Sequence, residues 1–409
     1  MQSQIPENWR KIYLGNVTVI NMGQSPSSKF YNTEGEGLPF YQGVTDFGEK
    51  YPTPSLYCSQ PARTAEPGTV LFSVRAPVGD VNLNTEKSCI GRGVAALEMK
   101  NGNNNYLYFL LQSQRKYFKS VAGGTTYESI NKDQIEDTEV VVPESKEEQE
   151  KITSFISAFD DKIEVNNKIN KTLEDMAQAI FKEWFVKFRF PGHEKVKMVD
   201  SELGKIPNGW EIKQVKDIAK LNKGLSYSSK EINNNSEGLP MINLANFQRG
   251  GGFNPSGIKF YTGKYKTSNL VEPGDVVIAM TDLTSNREVI GHPARVPSYT
   301  IWKEILISLD VCSLDIEEIY TEFLYYLMMR NEFSYLMASS TGGTNVAHLS
   351  SKFIENYEFV LPGKELLKKF KEQIIPIYQK KNLIEIENQK LAEMRDLLLP
   401  KLMKGEIRV

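Results

Sequence analysis

The chain has 409 residues, 40% of them hydrophobic and 24% charged, with a formal net charge of −2. That length implies two to three domains of ordinary globular composition. The near-neutral charge argues against a uniformly basic nucleic-acid binder, and three scattered cysteines (Cys58, Cys89, Cys312) argue against a disulfide framework or zinc knuckle and fit a reducing cytoplasm.

In chain order, the opening Ile5-Pro6-Glu7-Asn8-Trp9 is followed by a polar loop, Gln24 to Tyr31, and by Gly37-Leu38-Pro39. Glu66-Pro67-Gly68 then turns into the apolar run Thr69–Val74, which reads as a buried strand. Tyr106 to Val121 has helical character, Gly123-Gly124-Thr125 is a loop, and Thr138–Val142 is a strand closed by Pro143. Beyond it, Ile152, Ile156, Phe159, Ile163, Asn166, Asn170, Leu173, Ala177, Ile180 and Trp184 alternate by four and three, the pattern of a coiled-coil seam. Phe190-Pro191-Gly192 should stop that helix, and 191–205 reads as a polar connection.

The same order then returns. Ile206-Pro207-Asn208-Gly209-Trp210 and Gly238-Leu239-Pro240 lie 201 residues after their first copies, Glu272-Pro273-Gly274 lies 206 after, and Gly342-Gly343-Thr344 and Pro362 lie 219 after. The growing shift locates about 18 extra residues within the second globule. A strand at Asp275–Met280, a helix over Thr321–Ala338 and a strand at Tyr357–Leu361 complete that copy. A second seam follows at Phe370, Ile374, Ile377, Lys381, Ile384, Asn388, Leu391, Arg395, Leu398 and Leu402. Pro376 lacks a backbone donor, so this helix is expected to start or kink there. Each helix could run ~35 residues, roughly 50 Å; buried Asn166, Asn170 and Asn388 would weaken the seam but set its register. A repeat near 200 residues is a duplicated domain, since solenoid units span about 20–50 residues. The expected division is 1–143, first globule; 144–190, central helix; 191–205, linker; 206–362, second globule; 363–409, C-terminal helix. The expected class is α+β: two similar globules with two long coiled-coil helices and an internal repeat.

No phosphate-binding loop, no Asn/Asp-Pro-Pro-Tyr/Phe tetrapeptide, no His-Glu-x-x-His and no Gly-x-Ser-x-Gly occurs. Gly250-Gly251-Gly252 reads as a surface turn and Asp160-Asp161 as a solvated helix face. His193, His292 and His348 have no metal-ligand spacing. No uninterrupted apolar stretch approaches ~18 residues, and the first residues lack a basic and apolar leader. The expectation is therefore a cytoplasmic protein with no membrane span, no catalytic residues, and no metal or cofactor of its own.

The module openings, the run Gly68-Thr69-Val70-Leu71-Phe72-Ser73-Val74-Arg75-Ala76-Pro77-Val78-Gly79, the Gly-Gly-Thr loops and the helix after each globule, in that order and given twice, resemble the specificity (S) subunit of type I restriction–modification systems. The resemblance covers essentially the whole chain. It implies two target-recognition domains, each reading half of a split double-stranded DNA sequence, on two antiparallel helices that set the spacer. It also implies two modification (methyltransferase) subunits docked on the helices and carrying S-adenosylmethionine. Restriction subunits would bring ATP, Mg and cleavage. Two half-sites read from one face of DNA lie ~34–36 Å or a multiple apart, and rigid helices can fix such a distance where a flexible linker cannot. Alternative readings are a specificity subunit of a fused restriction and methylation system, a coiled-coil scaffold protein, or a methyltransferase or nuclease without recognisable motifs.

Base readout needs forked side chains, and phosphate contact needs cations, hydroxyls or amides. In the first copy such groups are Ser28, Lys29, Tyr31, Gln42, Ser73, Arg75, Arg92, Thr125 and Thr126. In the second they are Tyr227, Ser229, Lys230, Asn243, Asn246, Thr281, Asp282, Arg287, Thr344 and Asn345. Subunit docking and the coiled coil fall to Ile156, Phe159, Ile163, Leu173, Ile180, Ile377, Ile384, Leu391 and Leu398. Arg75 faces Thr281-Asp282 across the repeat, which predicts a target with two unlike halves.

Overall fold

The computed structural model describes residues 5–123, 128–233, 237–282, 287–298, 302–341 and 347–409. The chain divides into two compact units, residues 1–164 with 389–409, and residues 165–388. Each long helix is thus shared between them.

In the first unit, a four-stranded antiparallel sheet runs in the order Thr18–Met22, Val94–Met99, Val70–Ser73, Val81–Leu83. Val70–Ser73 is buried throughout, behind a Pro67-Gly68 turn in which Gly68 takes φ 81°; a side chain would strain that left-handed backbone. A five-stranded mixed sheet contains the parallel pair Leu38–Tyr41 and Ser88–Ile90. Trp9–Tyr13 pairs with Glu139–Pro143 and joins the two ends of the globule.

The second unit repeats this plan. Its four-stranded sheet is Ala219–Lys223, Val311–Ile316, Val276–Ala279 and Pro293–Arg295, and Leu239–Ile242 runs parallel to Ile305–Ile307. Glu211–Gln214 pairs with Glu358–Leu361. The 191–205 connection is not wholly irregular, because Met198–Ser201 forms a hairpin with Gly204–Pro207.

Both helical segments predicted inside the globules are broken in two. Asn104–Ser113 is followed by Arg115–Val121, and Thr321–Met328 by Asn331–Ser339. Their apolar pattern is nearly continuous, but the chain turns at the junction so that each piece buries its own face.

Each globule's core extends onto parts of both long helices. In the first unit, Ile152 and Ile156 pack with Leu399, Leu402 and Met403 among the globule's core residues. In the second, Ala177, Phe181 and Phe185 pack with Leu367, Phe370 and Ile374. The first long helix is α-helical over Lys146–Phe181 and ends in a wide turn, Lys182–Val186, short of Phe190. That turn places both Phe181 and Phe185 against Phe370, at 5.9 and 4.9 Å between ring centres.

The second long helix runs unbroken from Lys364 to Met403. Of the expected start or kink at Pro376, the start is ruled out, because the helix begins twelve residues earlier. Burial of Leu367, Phe370 and Ile374 holds the helix in place ahead of the proline's missing donor.

Within the second unit, Asn166 donates to Asn388 (2.8 Å), Asn170 to Glu385 (2.6 Å), and Lys381 pairs with Glu174. Numbers rise on one helix as they fall on the other, so the paired segments are antiparallel. In the first unit Arg395 meets Asp160 at 2.7 Å, and Asp161 meets Lys50 at 3.5 Å. Of the seam residues, Ile156 and Ile384 are buried, while Phe159, Ile163, Leu173, Ile180, Ile377, Leu391 and Leu398 are half-buried.

A polar centre of this kind costs stability but fixes register. Replacing Asn166 and Asn388 together with Leu should raise the melting temperature. It should also let Asn170→Cys cross-link at sites beyond Glu385→Cys. Cross-linking at that one site alone would show that the asparagines do not set the register.

Candidate nucleic-acid interface

In each globule, backbone hydrogen bonds draw loops that are distant in sequence into one edge. In the first, Gly23 N donates to Val94 O and Gln24 N to Ile90 O, both at 3.0 Å. A Cβ on Gly23 would sit 2.2 Å from Gly91 O, so only glycine permits this approach. The loop continues to exposed Ser28 and Lys29, with the Lys29 ammonium 4.8 Å from the Phe30 ring centre. Half-buried Tyr31 donates its hydroxyl to Pro26 O at 2.9 Å, and burial raises its pKa.

Arg92, exposed between Gly91 and Gly93, donates its backbone N–H to Ser25 Oγ at 3.2 Å. Gln42 is exposed beside it, since a Cβ on Gly93 would meet Gln42 O at 2.1 Å. Val74 N donates to Gly93 O, and Ile130 N to Val74 O. Arg75 bridges Ser129, which also bridges Gly123. Lys29, Gln42, Arg75 and Arg92 therefore share one edge. Among the described residues, no carboxylate pairs with these three cations.

The second globule builds the same edge from different side chains. Gly224 N donates to Val311 O (3.1 Å) and Leu225 N to Ile307 O (2.7 Å), and a Cβ on Gly224 would lie 2.0 Å from Ser308 O. The loop presents exposed Ser229 and Lys230, while Tyr227 packs against the cluster of Met241, Tyr261 and Leu306. Met280 N donates to Asp310 O and Leu349 N to Met280 O. Thr281 pairs with His348. Arg287, at φ 54°, donates to Ala338 O at 2.7 Å.

Five of the candidates are buried, so direct contact with DNA is corrected to a framing role. Ser73 donates to Arg75 O and Pro77 O (2.8 and 2.9 Å) and shapes the turn that exposes Arg75. Asn243 donates to Gly257 O and Asn246 to Asn254 O (2.7 and 2.8 Å), closing the loop between them. Thr281 donates to Asp310 Oδ1 at 2.8 Å, and Asp282 accepts from Val289 N and Ile290 N. Buried polar groups are satisfied internally because leaving them unpaired is costly; polarity alone could not distinguish them from surface readers. Thr125, Thr126, Thr344 and Asn345 lie outside the described residues.

Sequence reasoning expected helix over Arg115–Val121 but did not place it at this edge. Arg115 pairs with Asp80, and Phe118 lies 3.1 Å from where a Cβ on Gly79 would be, which places the helix against the Arg75 turn. It exposes Lys116, Tyr117 and Lys119. The basic residues interleaved with aromatics in Arg115-Lys116-Tyr117-Phe118-Lys119 were the available signal.

Among the described residues, no group of three or more His, Cys, Asp or Glu could hold a metal ion, and no helix is long and apolar enough to cross a membrane. The long helices carry exposed apolar residues: Val165, Ile169, Met176 and Leu383 in the second unit, and Phe155, Met394 and Leu397 in the first.

A family profile described as the type I restriction modification DNA specificity domain matches residues 6–175 and again 207–395. The type I restriction enzyme MjaIX specificity subunit of Methanocaldococcus jannaschii is 28% identical, with the match covering 99% of this chain and 95% of that protein. The HindI specificity subunit of Haemophilus influenzae is 25% identical over 74% of this chain and 77% of its own length. In fold, the chain is similar to the crystal structure of the type I restriction–modification S subunit from M. genitalium, with a TM-score of 0.54 at 16% identity, covering 98% and 97% of the two chains.

Proposed function

The chain belongs to the type I restriction modification DNA specificity family, whose members are non-catalytic recognition subunits, and from that premise we propose that each globule reads one half of a bipartite double-stranded DNA target. The observation that carries the reading is the repeated edge: one backbone frame exposes Arg75 and Arg92 in one copy and, at the same positions, holds buried Thr281 and exposed Leu309 in the other. Unlike edges read unlike sequences. Two modification subunits dock on the long helices, and the exposed apolar side chains there, from Phe155 to Leu397, support such a contact. S-adenosylmethionine and methyl transfer belong to those subunits, and ATP, Mg and cleavage to restriction subunits; the complex acts on DNA in the cytoplasm.

The methylome of a host expressing the chain with its modification subunit tests this. The expected motif has two unlike halves around an unread spacer; a perfect palindrome rejects it. The helices act as the ruler, so adding about four residues to one of them, which moves its end ~6 Å, should lengthen the preferred spacer. An unchanged spacer removes the ruler.

A further inference from the structure

We propose that the two globules hold DNA unequally, the first through a strongly cationic edge and the second through a less charged one, so that the salt-sensitive grip falls mainly on the first half-site. The proposal rests on the reading above that both edges face DNA.

Matching backbone hydrogen bonds and one matching helix contact equate the positions. Ile90 and Val94 accept from the Gly23 loop as Ile307 and Val311 accept from the Gly224 loop, so Arg92 corresponds to Leu309. Val74 and Met280 make the same two backbone contacts, so Arg75 corresponds to Thr281. A Cβ on Gly79 would meet Phe118 as one on Gly291 would meet Met337, so Lys116 corresponds to Tyr335 and Lys119 to Ala338. Each of these four positions is cationic in the first copy and uncharged in the second. Only the loop lysines, Lys29 and Lys230, are shared.

Two further second-copy cations near this edge are engaged within the protein. Arg287 donates to Ala338 O, and Arg249 pairs with Glu288 at 2.9 Å. Gly79 lies five residues beyond Val74, whereas Gly291 lies eleven beyond Met280, so the second copy has six more residues here. What the second edge exposes instead is Leu309, 54% accessible, and Tyr335, 78% accessible. An apolar side chain of this kind recognises the thymine methyl group and releases no counterion, whereas each cation placed on a phosphate steepens the salt dependence of binding by about 0.9.

The experiment uses the full chain assembled with its modification subunits and one duplex carrying the methylated motif, with affinity measured across a sodium chloride series. One variant gives the first edge the second's residues: Arg75→Thr, Arg92→Leu, Lys116→Tyr and Lys119→Ala. The reciprocal variant carries Thr281→Arg, Leu309→Arg, Tyr335→Lys and Ala338→Lys. The first should flatten the slope of log affinity against log salt, by up to about 0.9 for each cation removed, and the second should steepen it. All first-copy positions are exposed, and circular dichroism checks that the fold is kept; if buried Thr281 does not tolerate Arg, the other three reciprocal changes suffice. Unchanged slopes in both variants, or weaker binding at constant slope, overturn the proposal. A wild-type complex that fails to bind the duplex at any salt concentration rejects the DNA-recognition reading itself.

Discussion

Replacing Glu322 with Gln should destabilise the second unit by about 3–5 kcal/mol, the cost of leaving a buried charge unpaired. Arg295 and Glu322 are both buried, and two hydrogen bonds of 3.0 and 2.9 Å join them. The guanidinium carbon also lies 4.3 Å from the Tyr378 ring centre and 5.5 Å from that of Tyr325. Burial lowers the Arg295 pKa, but attraction and hydrogen bonding to Glu322, together with Tyr378 and Tyr325, outweigh it and the pKa is raised. The pair joins strand Pro293–Arg295 to helix Thr321–Met328, and its arginine rests on a tyrosine of the second long helix.

The first copy supplies the comparison. Leu83 opposes Val70 as Arg295 opposes Val276, so an apolar residue serves at the same register position. The double variant Arg295→Leu with Glu322→Leu should therefore recover most of the lost stability, because no buried charge is left behind. Thermal unfolding decides the matter: at about 2–4 °C per kcal/mol for a unit of this size, the single variant should melt roughly 10 °C lower. A shift of one or two degrees would mean that water reaches the arginine.

The second large effect is functional. Gly23→Val or Gly224→Val should lower methylation by the assembled complex by about 100-fold, the scale of loss when binding groups are misplaced by 1 Å. The added side chain at either glycine would overlap a backbone carbonyl, Gly91 O or Ser308 O, that cannot swing aside as a flexible side chain does. The loop bearing Ser28 and Lys29, or Ser229 and Lys230, must then move off its edge. Gly363→Ala serves as control, since nothing lies within 4 Å of its added Cβ. Full methylation by the valine variants would show that these loops take no part in recognition.

Much of this was legible in the chain itself. The duplication, the buried strands behind each Pro-Gly turn and the heptad seams are local or periodic signals, and each has its counterpart in the structure. Which segments of the seams meet was not legible, because heptad spacing is the same for parallel and antiparallel partners. The Asn166–Asn388 and Glu174–Lys381 contacts are what orient the paired segments. Pro376 misled for a related reason: the local penalty is real, but the apolar residues ahead of it are held by the globule.

The site divides along the same line. Sequence by itself determined the family frame and the unlikeness of its two halves, since Arg75 against Thr281 is a difference in residue type. Only the tertiary structure decided which polar residues face outward. Asn243, Asn246 and Asp282 have the side chains of base readers, yet the folded loops turn them inward onto backbone partners seven to fourteen residues away. Lys116 and Lys119 were overlooked because their place beside Arg75 depends on Phe118 meeting Gly79, a contact between segments some forty residues apart. Hydrogen-bonding capacity is a property of a residue, whereas its availability to DNA depends on which partners the fold has already supplied.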